Sequence, residues 1–465
     1  MRRLLAALLL LATPVLAQVQ PTSPPASPAA AVSPAAKLEI PFEQYRLPNG
    51  LEVILSQDKR LPVVTVNLWY HVGAFHEQPG RTGFAHLFEH MMFQGSKHVG
   101  DDQHIAMLEK LGATSLNGTT NFDRTNYFET VPSNHLETAL WLESDRMGFL
   151  LQAITPEKLA TQKEVVKNER RQSTETAPYG LAEEAFWQAL FPAPHPYHGV
   201  VIGSMADLEA ATQEDVKTFF NTWYAPANAT LAVVGDFDKA QAKALIEKYF
   251  GGLPSGPKPA KPKVADVSLS APVVIEHEET IASLPKIFIG WLTPALFAEG
   301  DATADILGGL LSTGKTSRLY KRLVHEKKLA QSVDAYQQSL AAQSVFTIEA
   351  IAAPGKSLEE LQREIDAILE EVRTRGVTQA EVQRVRTRLQ TGYVTRLQTV
   401  NGKADQLQSY NHFLGDPGRI AWDLARYDTV TPEMVQQFAQ QQLNDKRVVV
   451  KAVPRASAPA AQEAK

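Results

Sequence analysis

The sequence predicts a chain of two similar halves, each mixing β-strands with α-helices, and three observations predict it. From Glu39 onward, β-prone runs alternate with helical patterns. A proline-rich stretch from Leu253 to Lys263 (LPSGPKPAKPK) divides that region near its middle, in the style of a semi-rigid connector. Landmarks on its two sides also repeat. Leu61-Pro62 leads a β-run ending at Trp69, as Leu284-Pro285 leads one ending at Trp291. TQEDV from Thr212, with Phe219, matches TPEMV from Thr431, with Phe438, and each is followed by a hydrophobic strand, at Leu231 to Val234 and at Val448 to Val453.

Composition sets the surroundings. The 465 residues are 44% hydrophobic, enough for a large core and for more than one domain. Residues 1–17 (MRRLLAALLLLATPVLA) carry two arginines, an apolar run too short to span a bilayer, and small residues before a cleavage point. They read as a secretory signal peptide, so a bacterial periplasm or the cell exterior is expected, with the periplasm taken as the location. Residues 18–38 are rich in Pro, Ala and Ser and read as a disordered tether. The first domain is then 39–252, the linker 253–267, the second domain 268–455 and a disordered tail 456–465. No stable membrane anchor is expected. Losing Arg2 and Arg3 takes the formal charge from −5 to −7, a mildly acidic surface that argues against nucleic acid as the partner. With no cysteine, disulfides, thiolate metal sites and a Cys nucleophile are excluded together.

In the first half, Phe42 to Leu47 and Leu51 to Ser56 flank Pro48-Asn49-Gly50 as a hairpin signal, and Val63 to Tyr70 is a third strand. Next comes RTGFAHLFEHMMFQGS, Arg81 to Ser96, whose apolar run reads as a buried helix opened by Thr82 or Gly83 and closed near Gly95. At about 100° per residue, His86 and His90 stand one turn apart on one face with Glu89 beside them. Two imidazoles there can converge on a metal while the carboxylate serves as a base, and H-x-x-E-H is the inverzincin order. A histidine on an apolar helix is ordinarily a hydrogen-bonded core residue, and the triplet alone leaves both readings open. The second copy weighs on the choice: with Gly95 laid on Gly314, the triplet falls on Asp305, Gly308 and Gly309, which cannot hold a metal. Further helices are expected at Gly100 to Leu111, Asn134 to Leu151, Thr155 to Glu175 and Thr212 to Tyr224. Two strands are expected within Thr114 to Val131, and another at Ala229 to Phe237.

Through the G-x-x-H-x-x-E-H-M-x-F-x-G-S stretch, the two-copy layout and G-x-x-S-R-L at Gly314 to Leu319, the chain resembles the M16 family of zinc metallopeptidases (pitrilysin, insulysin and mitochondrial processing peptidase) from Glu39 to Pro454. The resemblance implies two homologous α+β domains, each a mixed, mainly antiparallel sheet plus helices, facing each other as a clamshell. It implies one zinc ion in the first. The family's third zinc ligand is a Glu on a later helix. Glu169 is assigned, because it follows Val165 and Val166 on what reads as the inward stripe of its helix; Glu164, about 140° round the axis from it, is the fallback. The family's carboxylate one heptad earlier falls on Gln162. In such a site Glu89 takes a proton from water activated at the metal's open position and passes it to the leaving amine. The strand containing Asn117 resembles the family's peptide-binding edge strand, which makes Asn117 a candidate substrate contact.

One departure concerns partners. Members that act alone carry Arg and Tyr in L-R-x-x-x-x-L-x-Y-S-V, where this chain has Val324 and Gln331 within Leu323 to Val333, unless a register slip puts Arg318, Tyr320 or Arg322 in the role. Losing oxyanion donors costs ~3 kcal/mol each. The resemblance therefore implies a periplasmic peptidase subunit that acts on peptides or unfolded polypeptides, with Arg and Tyr supplied by a second M16-like chain in a heterodimer. The alternatives are a noncatalytic assembly or binding subunit and a self-sufficient homodimeric peptidase.

Overall fold

In the computed structural model, which describes residues 38–455, the strands collect into two sheets of one plan. The expected signal peptide, the tether up to Lys37 and the tail lie outside the described residues. The first sheet contains β1 (Glu43–Arg46), β2 (Glu52–Gln57), β3 (Val63–Tyr70), β4 (Thr114–Thr120), β5 (Thr125–Pro132) and β6 (Ala229–Gly235). The second contains β7 (Val273–Glu279), β8 (Lys286–Thr293), β9 (Ala330–Gln338), β10 (Ser344–Ala352) and β11 (Val448–Pro454). Their spatial orders are β1-β2-β6-β3-β5-β4 and β7-β11-β8-β10-β9. In each sheet one pairing is parallel, β2 with β6 and β7 with β11, and the others are antiparallel. The repeated landmarks therefore mark a repeated topology. The central strand β6 (ATLAVVG) is buried at every residue, as a strand covered on both faces requires.

The two domains close on each other as a clamshell by exchanging one helix each. From the first half, α5 (Gly180–Leu190), which follows α1 (Phe84–Met91), α2 (Gln103–Lys110), α3 (Leu136–Phe149) and α4 (Pro156–Arg170), lies on the second sheet, where Phe186 and Leu190 join Phe288, Val448 and Val450 in one apolar cluster. Gly290 makes room for it, since a Cβ there would stand 2.4 Å from the Phe186 ring. In return the helix Val400–Leu414 lies across the first sheet, and the buried Gln408 amide donates to the carbonyls of Asn67 (2.9 Å) and Thr230 (2.7 Å). Between the halves, residues 254–269 run without helix or strand.

The helix Asp301–Ser312 is the second-half counterpart of the motif helix. A Cβ on Gly308 would come within 3.0 Å of the Ala335 carbonyl, and one on Gly309 within 2.5 Å of the Val385 side chain. These glycines let neighbouring elements close over the face that, in the first half, carries Glu89 and His90.

Candidate metal centre

The motif helix α1 (Phe84–Met91) buries Phe84, Ala85, Leu87, Phe88 and Met91 in the first core, so the remaining face carries His86, Glu89 and His90. Gly83 opens it at a φ of 84°, and no side chain of its own caps it. The Glu77 carboxyl does so instead, accepting from the amides of Gly83 (2.9 Å) and Ala85 (2.7 Å), although burial pushes it up to about 8 against the pull of those amides. Gly83 also faces Gly203, whose Cβ would lie 2.4 Å from the Gly83 Cα. The Gly203 carbonyl accepts from Arg170 at 2.8 Å, and Arg170 also donates to Glu184 at 2.8 Å. The start of α1 is thereby tied to the last residue of the helix that carries Glu169.

That helix, α4 (Pro156–Arg170), starts at Thr155, whose hydroxyl accepts from the Lys158 amide, and it continues into a π turn at Arg171–Glu175. Val166 is fully buried, but Val165 is 41% exposed, so it does not share the inward stripe, which runs through Leu159, Gln162, Val166 and Arg170. Glu169 reaches inward from the margin of that stripe. Its carboxylate comes to 3.7 Å from His86 Nε2 and 3.4 Å from His90 Nε2, and one donor atom from each of the three residues lies within 4.8 Å of the others. Glu164 turns away and accepts from Lys167 at 2.7 Å.

Burial and the neighbouring His90 hold His86 down to about 4, and burial lowers His90 against the pull of Glu169. Both rings are therefore neutral near pH 7. Two neutral imidazole nitrogens and a carboxylate converge on one spot, and this donor set suits a divalent cation of borderline softness with a position left open.

Glu89 stands outside that trio. Its carboxylate accepts from the Thr120 hydroxyl at 2.7 Å. Burial raises its pKa, while Thr120 and the Arg124 guanidinium oppose the rise. Arg124 donates to the Thr119 carbonyl at 2.8 Å and lies over the Trp69 ring, so it braces the strand that presents Thr120. Gly118 is the other fitted residue, since a Cβ there would stand 2.9 Å from Glu89 Cγ. Thr120, Arg124 and Glu77 had no signature in the sequence; Gly118, a glycine inside a strand, was the one available sign of a close approach.

β4 is one of the two outer strands of the first sheet, and Asn117 is exposed on it, beside a hollow that Glu89 and His90 also line. Tyr127 is fully buried in the core. In the second half Val324 packs against the core and Gln331 is exposed on β9. Arg318 is held by Glu381 (2.7 and 2.8 Å) and Arg322 by Glu371 (2.9 Å).

Residues 52–191 match the family model described as insulinase (peptidase family M16), and residues 210–389 match the one described as peptidase M16 inactive domain. A protein named zinc protease PqqE from Helicobacter pylori is 30% identical over 79% of this chain and 83% of its own length. An uncharacterized zinc protease from Bacillus subtilis is 22% identical over 86% of this chain and 95% of its own. Among solved structures, a protease from Helicobacter pylori superposes with a TM-score of 0.84 at 27% identity, covering 89% of this chain and 100% of that one. The periplasmic protease PqqL from Escherichia coli gives 0.73 at 20% identity, over 90% of this chain and 48% of that one, a likeness of fold.

Proposed function

This chain belongs to peptidase family M16, and on that footing we propose that it is a periplasmic zinc metalloendopeptidase subunit acting on peptides or unfolded polypeptides. The observation that carries the reading is the convergence of His86, His90 and Glu169, with a fourth group, Glu89, held beside them by Thr120. His86, His90 and Glu169 are the zinc ligands. Zinc, when bound, supplies a Lewis acid that polarises the scissile carbonyl and acidifies water. Glu89 accepts a proton from the attacking water and returns it to the leaving amine. Thr120 holds that carboxylate toward the cleft, and Arg124 keeps positive charge near it. The exposed strand β4, with Asn117, pairs the substrate backbone in extended form. Val324 and Gln331 offer no cation or phenol, Arg318 and Arg322 are engaged in ion pairs and Tyr320 packs against the second core, so a second M16-like chain supplies the Arg and Tyr.

The test is peptide hydrolysis by the zinc-loaded chain, alone and mixed with an M16-like chain encoded beside it that has the Arg and Tyr but lacks H-x-x-E-H. Activity in the mixture alone, abolished by Glu89→Gln with zinc retained, supports the split site. Full activity from the chain alone overturns the partner requirement, and zinc binding with no hydrolysis in either arm overturns the peptidase role.

A further inference from the structure

Beside Glu89 the surface folds inward into a cavity of 380 Å³ between α1, α2 (Gln103–Lys110) and the start of β4. Phe93, Ile105, Ala113 and Leu116 give it an apolar wall. Its shape depends on an irregular strand: the ladder to β5 breaks register between Thr114 and Asn117, and Ser115 sits at a φ of 51°, in the left-handed region. A bulge re-aims the side chains around it, and here it brings Leu116 to the cavity. A non-glycine residue held left-handed beside a cleft points to a use for the distortion.

The charges in this cavity are of one sign. Glu109 follows Ile105 by one helical turn, so both side chains face the same hollow. Among the described residues the Glu109 carboxylate makes no ion pair or side-chain hydrogen bond, and no lysine or arginine lines the cavity. Apart from His90, the ionisable groups there are Glu89 and Glu109.

We propose that this cavity is the subsite for a lysine or arginine side chain next to the scissile bond, and that Glu109 sets the preference. The proposal rests on the peptidase reading above. A lysine or arginine covers an apolar wall with its aliphatic stem and keeps its charge at the wet end, which is where Glu109 stands. An extended peptide paired with β4 turns alternate side chains to one face, so one substrate position is sampled. An acidic side chain at that position would meet the Glu109 carboxylate and is disfavoured by repulsion.

The experiment uses the zinc-loaded full chain with its partner chain and one fluorogenic peptide frame, varied at a single position to Lys, Arg, Leu, Phe or Glu. Lys and Arg peptides are cleaved with kcat/KM about two- to fivefold above Leu, and Glu peptides are cleaved least. Glu109→Gln abolishes the Lys-to-Leu preference and Glu109→Lys inverts it, with zinc content and circular dichroism confirming folded enzyme. Cleavage with no basic preference, or a preference that survives Glu109→Lys, overturns the subsite and leaves the peptidase reading standing. Failure of every peptide to be cleaved overturns both.

Discussion

The Thr120 hydroxyl donates to the Glu89 carboxylate at 2.7 Å, joining the edge strand β4 to the motif helix α1. A hydrogen bond to a charged acceptor is worth ~1.5–3 kcal/mol. Thr120→Val keeps the shape and removes the donor, so kcat falls by about tenfold or more while zinc content stays that of the wild type. Unchanged kcat in Thr120→Val, with zinc present, would show that Glu89 is held by other means.

Gly118 sets the room available to the same carboxylate. A methyl group there would stand 2.9 Å from Glu89 Cγ and 3.1 Å from both Phe93 and Tyr127, with Tyr127 fixed in the core and Phe93 packed against it. The movable group is Glu89. Gly118→Ala therefore lowers kcat about tenfold or more and costs ~1–3 kcal/mol of stability by overpacking, read by peptide hydrolysis and by urea unfolding of the same preparation. A stability loss with kcat intact would mean that the rings yield and Glu89 does not.

How much of this was legible in the sequence follows from the range of each signal. The spacing of His86, Glu89 and His90 is local, one turn of helix, and the sheet plan announced itself twice because the chain repeats. The position of Glu169 depends on how α4 crosses α1, which no local pattern fixes. The resemblance supplied it, whereas Val165, expected on the inward stripe beside it, is 41% exposed. Thr120, Arg124 and Glu77 act across sequence separations that a linear reading cannot rank. The exchange of α5 for the helix Val400–Leu414 was invisible for the same reason: an apolar face does not say which half it covers.

Glu169 and Glu164 are separable by metal content. Glu169 lies 3.4 Å from His90 Nε2, whereas Glu164 is bonded to Lys167 and has a side chain 58% exposed. Glu169→Gln weakens zinc binding by more than about a hundredfold, beyond what loss of an outer-shell group causes, and Glu164→Gln leaves it unchanged. The measurement is calorimetric titration of the metal-free chain. Equal losses from the two variants would reassign the third ligand.

The last prediction concerns Asp305, which occupies in the second half the place that His86 has in the first. It is deeply buried, accepts from the Tyr427 hydroxyl at 2.7 Å, and is pushed up to about 7 by burial, with Asp301 and Asp423 adding to the rise and Tyr427 and Arg426 opposing it. Below about pH 4 the group is protonated both folded and unfolded and contributes no pH dependence. Between about 4 and 7 the folded chain keeps a proton that the unfolded chain releases, so stability falls as pH rises; above 7 the loss is complete. Asp305→Asn keeps an acceptor for Tyr427 and never ionises. It should match the wild type near pH 4 and exceed it by roughly 4 kcal/mol at pH 8, measured as the shift in urea midpoint. The same shift at both pH values would mean that packing, and not the buried charge, distinguishes the two chains.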